Sequence, residues 1–116
     1  MQMMAGVKGD HLGELEELTV LAVLALKENA YGIVVQELIE RQTGREVTLG
    51  AVYAALERME RKGLLQSTMS ASTGERGGRR RRLFAVSQEG MRVLSEARRA
   101  REALWQAVPY VIRSRT

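Results

Sequence analysis

"TLGAVYAALERMERKGLLQSTMS", residues 48 to 70, changes its period partway along. Up to Lys62 the apolar residues Leu49, Val52, Leu56 and Met59 recur at helical spacing. Beyond Gly63, "LLQSTMS" has strand character. Thr48 suits the helix N-cap, because its hydroxyl can accept from an orphan backbone N–H. Gly63 suits the helix stop. The stretch therefore predicts a helix from Leu49 to about Lys62 that hands over to a strand.

The helix face opposite the apolar stripe carries Gly50, Ala51, Ala54, Arg58 and Arg61. Its first turns are almost bare of side chain, whereas exposed helix faces ordinarily carry Glu, Lys, Gln or Arg. Small residues let a helix N-terminus, with its free N–H groups and partial positive charge, approach a phosphate-bearing surface. The same pattern also fits a helix packed on another protein helix through alanine. Tyr53 borders the two faces. Its ring can pack while its hydroxyl reaches a phosphate, or it is simply half-buried. Tyr31 carries the same two readings.

Upstream, a helix capped by Asp10 is expected to run through Leu12, Leu15, Leu18, Leu21 and Val23 to about Leu26. "KENAYG" breaks it. A second helix follows from about Gly32 to Gln42, stopped by Gly44. Downstream, "STGERGGRRRR" separates the first strand from "RLFAV", residues 82 to 86. Together these read as a hairpin with a long tip. Ser87 then caps a last helix from Gln88 to about Val108, closed by Pro109. Residues 1–9 and 109–116 read as tails. The order is mainly α with a two-stranded β-wing. That is the order of a winged helix-turn-helix over 10–86, followed by a long C-terminal helix over 87–108.

The 116-residue chain suits one domain. It has no cysteine and one histidine, so disulfides, thiolate or His-based metal sites and a His-dependent triad are excluded. No carboxylate pair, serine or lysine stands in an activating setting, so the chain does not read as an enzyme, and no cofactor is implied. The run "LTVLAVLAL" is too short to span a bilayer and follows Glu14, Glu16 and Glu17, unlike the basic leader of a signal peptide. A cytoplasmic protein is expected. Net charge is +4, unevenly placed. Residues 1–44 hold three basic and seven acidic residues, and 45–116 hold fifteen basic and seven acidic ones. Such a split suits a surface that meets a polyanion.

The hairpin tip concentrates that charge. Gly77 and Gly78 let the backbone bend, and Arg76, Arg79, Arg80 and Arg81 can contact phosphates or enter a narrow minor groove. Arg82, nearest the sheet, reads as structural. A solvated basic tip is the plainer alternative. By this reading the DNA-facing residues are Tyr31, Thr48, Gly50, Ala51, Tyr53, Ala54 and Arg58, with Arg76, Gly77, Gly78, Arg79, Arg80 and Arg81 on the wing. A module gripping an acidic protein partner is the competing reading. An RNA binder is disfavoured by the lack of paired exposed aromatics.

The last helix would span roughly 30 Å, more than one winged head needs. Its stripe of Met91, Leu94, Ala97, Leu104, Trp105 and Val108 is interrupted by "RRAR". A two-fold homodimer is expected, with Leu12 and Leu15 of the first helix facing Leu94, Leu104, Trp105 and Val108 of the last. Trp105 reads as an interface anchor or as a contact for a small aromatic effector between subunits.

Several of these segments share one pattern: "AYG" opening the second helix, "TLGAVY" the third, "LERMERKGLL" after it, a basic wing, and "LFAVSQEG". Taken in order, over about residues 12 to 108, they resemble the PadR family of bacterial transcription regulators, in a short type with one helix after the wing. Phe84 stands where Tyr is common. The resemblance implies a dimeric repressor of double-stranded DNA, often released by a small molecule.

Overall fold

The computed structural model describes residues 12–70 and 80–113. Their order is α1 (Glu14–Leu26), a 3-10 turn (Lys27–Asn29), α2 (Gly32–Thr43), α3 (Leu49–Arg61), β1 (Leu65–Met69), β2 (Arg82–Val86), α4 (Gln88–Ala107) and α5 (Tyr110–Arg113).

The start of α1 differs from expectation. Leu12 and Gly13 lie outside the helix, and Asp10 falls outside the described residues. Gly13 is extended (φ −74°, ψ 170°), and its N–H donates to the Glu16 carboxylate at 2.9 Å. A glycine favours the non-helical cap over the helix interior, and an acid three positions on satisfies its amide. Glu14, Glu16 and Glu17 then sit in the first turn, where the helix dipole favours negative charge.

The other ends match their chemistry. Gly44 closes α2 at φ +71°, and its N–H donates to the Glu40 carbonyl at 2.9 Å. Thr48 Oγ1 accepts from the Ala51 N–H at 3.0 Å, and Gly63 turns out of α3 at φ +81°. β1 and β2 pair antiparallel, from Leu65 opposite Val86 to Met69 opposite Arg82. The hairpin is also tied to the α1–α2 connection, where the Phe84 N–H donates to the Ala30 carbonyl at 2.9 Å.

One core joins these elements. Val20, Val23, Val35, Val52, Leu56 and Met59 bring α1, α2 and α3 together, and Leu64, Leu65 and Phe84 extend the core under the wing. Val93 and Leu94 of α4 complete it, so the first turns of α4 belong to the head. Ser87 fixes the junction. Its hydroxyl accepts from the Gly90 N–H at 3.0 Å and donates to the Gly63 carbonyl at 2.6 Å. At Gly90 a Cβ would stand 2.2 Å from the Leu64 carbonyl oxygen, so only glycine lets α4 lie this close to the base of the wing.

Pro109 ends α4, as its missing N–H and its restriction of Val108 require. Within the stretch 109–116, expected as tail, Tyr110–Arg113 form the helical turn α5. Among the described residues no helix is long and apolar enough to cross a membrane.

Candidate nucleic-acid interface

α3 buries Val52, Ala55, Leu56 and Met59 and turns Gly50 and Ala54 outward. A Cβ placed on Gly50 would meet nothing within 4 Å. The helix therefore presents a bare N-terminal face, with Arg61 exposed further along it. Ala51 is half-buried at the edge of this face. Thr48 is exposed, with its hydroxyl oxygen occupied as the cap. Glu57 is also outward, seven residues after Gly50. The sequence reading missed it, although the i, i+4, i+7 spacing from Gly50 and Ala54 already placed it there.

α2 is held against α3 by an interlock. A Cβ on Gly32 would stand 2.3 Å from Tyr53 Cζ, so the Tyr53 ring occupies the space that a side chain at position 32 would need. Tyr53 is thus partly a packing residue, with its remaining surface exposed. Tyr31 N-caps α2, and the Arg81 guanidinium lies over its ring, 4.5 Å from the centroid. That contact sets the base of the wing beside the start of α2. Arg80 is exposed next to it. The other expected wing residues, Arg76, Gly77, Gly78 and Arg79, lie outside the described residues.

Two arginines are already engaged. Arg82 bonds the Glu60 carboxylate, lies 3.8 Å from Glu57, and donates to Ser67 Oγ at 3.2 Å. It ties β2 to α3, as its place beside the sheet suggested. The Ser67 hydroxyl, donating to Glu60 at 2.7 Å, does most to hold the Glu60 carboxyl below its ordinary value; Arg82 adds to this against the opposing effect of burial. Arg58, expected to face DNA, is instead bonded to Glu16 at 2.8 Å, with Lys62 at 3.7 Å from the same carboxylate. It sits on the flank of α3 turned toward α1, where an acid is available. For Glu16, burial is the largest single influence and raises the pKa. The Gly13 N–H, Arg58 and Lys62 together outweigh it and hold the carboxyl below its ordinary value.

The residues expected at a dimer interface divide in two. Leu94 is 6% exposed and belongs to the head's own core, against which Leu12 and Leu15 also pack. Little of Leu94 is left to meet a partner. By contrast Leu104 is 72% and Trp105 51% exposed, with Val108 half-buried just past the end of the helix. An ion pair between Arg101 and Glu17 ties the middle of α4 back to α1.

Three helices, a bare exposed face on the third, and a paired hairpin beside it whose second strand is entered through Arg80 and Arg81 define a winged helix-turn-helix, a class of DNA-binding head. The chain belongs to the PadR-like family of transcriptional regulators, which matches residues 20–96. It is accordingly a regulator of transcription and not an enzyme. A PadR family transcription regulator from Clostridium difficile is similar in structure, with 26% identity and a TM-score of 0.70, covering 82% of this chain and 94% of that one. A PadR-like transcription factor from Bacteroides fragilis has 20% identity and a TM-score of 0.71, covering 96% and 99%. A PadR-like regulator from Bacillus cereus has 22% identity and a TM-score of 0.66, covering 97% of both chains. At those last two identities the likeness concerns the fold alone. A search of curated proteins found no match.

Proposed function

We propose that this protein is a cytoplasmic, sequence-specific repressor that binds a palindromic operator as a homodimer and is released by a small aromatic effector. The observation that carries the reading is the bare Gly50–Ala54 face of α3 standing beside a wing base that Arg81 and Tyr31 hold in place. A helix N-terminus this uncluttered can enter a major groove, and Arg80 and Arg81 can meet the flanking phosphates. The apolar end of α4 supports the dimer, because Leu104 and Trp105 are otherwise exposed to water. A shallow groove formed by Arg101, Leu104, Trp105 and Val108 supports an aromatic effector near the same helix.

Selection from a random pool of duplexes tests the reading. The expected product is an inverted repeat with half-sites about 34–36 Å apart. On that duplex, Arg80→Ala with Arg81→Ala should reduce the slope of log affinity against log salt by roughly 1.8, since each phosphate contact contributes about 0.9. A pool that yields no enriched duplex would favour a module for an acidic protein partner. An enriched site without a repeat would remove the two-headed arrangement.

A further inference from the structure

We propose that the groove between α1 and α2 is a socket for α5 of a second copy of this chain, so that the C-terminal turn acts as a clamp across the dimer. This rests on the homodimer proposed above and adds to it a second, separate contact.

The groove is about 230 Å³ and almost wholly apolar, walled by Leu21, Ala22 and Ala25 of α1 and by Leu38, Ile39 and Gln42 of α2. No described residue of the head fills it. The candidate occupant has matching chemistry, since Tyr110 and Ile112 of α5 are 74% and 53% exposed. These residues lie beyond the family match, which ends at residue 96.

Direction decides which copy supplies the occupant. Within one chain α4 runs antiparallel to α1. Met91 and Leu94 lie by Leu21 and Leu24 near the C-terminal end of α1, and Arg101 pairs with Glu17 near its N-terminal end. From Arg101 the chain therefore continues past the start of α1, away from its own groove. The distance from Arg101 to Ala107 alone is about 9 Å of helix. A two-fold axis perpendicular to α1 sets the partner's α1 antiparallel, with its apolar C-terminal half where this chain's Leu104 and Trp105 project. Leu21 of that partner helix borders both its grooves. An α4 lying along one groove needs only a change of direction to reach the other, and the break at Val108–Pro109 supplies one.

The chain has no native cysteine, which makes the contact directly readable. The doubly substituted chain Ala25→Cys, Ile112→Cys is treated with a short bis-maleimide and run on a denaturing gel, while its untreated state is followed by sedimentation. Gln42→Cys with Ile112→Cys probes the opposite wall of the socket. The expected result is a covalent dimer from either pair at micromolar protein, and at least tenfold less from any of the three single variants. A mixture of the Ala25→Cys and Ile112→Cys chains should give the cross-linked dimer after subunit exchange. A protein that sediments as a dimer yet forms no Ala25–Ile112 or Gln42–Ile112 link overturns the clamp and leaves the homodimer standing. A protein that sediments as a monomer at these concentrations overturns both.

Discussion

The base of the wing and the end of α4 are opposites. At the base, nearly every group has a partner within the chain: Ser87 caps α4 and bonds Gly63, Phe84 bonds Ala30, and Arg82 bridges to Glu60. At the end of α4 and in α5, four large apolar residues, Leu104, Trp105, Tyr110 and Ile112, are at least half exposed. The first region is complete as a single chain, and its geometry is fixed before any ligand arrives. The second becomes economical only when something covers it. A small regulator needs both, a rigid head to read a duplex and an unfinished surface on which heads can be paired.

The strongest way to break this contrast is to disturb the finished region. Gly90→Ala forces a methyl group against the Leu64 carbonyl, which is backbone and cannot swing away. A loss of about 3 kcal/mol or more of folding stability is expected, at the upper end of overpacking costs, and chemical denaturation measures it. Native-like stability would mean that α4 can shift on the head and that the junction is softer than its bonding suggests.

Next in size is a change that leaves the scaffold alone. Ala54 is exposed in the middle of the bare face of α3. Ala54→Glu should leave the melting temperature and the oligomeric state unchanged and weaken operator binding by at least a hundredfold, about 2.7 kcal/mol. A fluorescence-anisotropy titration checks it. Tight binding by this variant would show that α3 is not the helix that meets DNA.

On the unfinished side, Trp105→Ala should weaken the dimer by on the order of 2 kcal/mol if the indole is a central anchor. Sedimentation on dilution would then show monomers at concentrations where the parent chain remains paired, with the far-UV circular dichroism of the head retained. A variant that stays dimeric at nanomolar concentration would pass the role of Trp105 to effector binding, and quenching of its fluorescence by planar aromatic compounds would be the next measurement.

The smallest effect concerns pH. Glu16 has a folded pKa below its ordinary value, so its contribution to stability is fully present above about pH 4.3 and is lost as pH falls through the lowered folded value. Because the partners Arg58 and Lys62 are partly exposed, the contribution is expected to be below about 1 kcal/mol. Glu16→Gln should flatten the acid limb of the stability curve below about pH 4.3 and leave neutral binding little changed.

Much of the head was legible because local chemistry and tertiary demand agree there. The Thr48 cap, the stops at Gly44 and Gly63, the apolar stripe of α3 and the strand 82–86 each follow from residues within one element. Several of the differences involve choices made between elements. Gly13 rather than Asp10 precedes α1 because Glu16 reaches back to its amide, and that same carboxylate holds Arg58. No spacing rule in either helix announces a bond between residues 16 and 58. Leu94 fitted an interface stripe by period alone, but the stripe also faces the head, and the head takes it. The turn α5 was hidden by Pro109, which ends one helix and can equally open another.

The interlock between Gly32 and Tyr53 has a consequence for how such heads can diverge. The spacing of α2 and α3 is set by a missing side chain on one and a ring on the other, so the two positions form a single character. Any lineage that gains a side chain at 32 must first surrender the ring at 53, and the intermediate with both is obstructed while the intermediate with neither has a hole. New DNA preferences are therefore reached more readily by changes at Gly50, Ala54 and Glu57, which touch no such neighbour on α2, than by re-angling the helix that carries them.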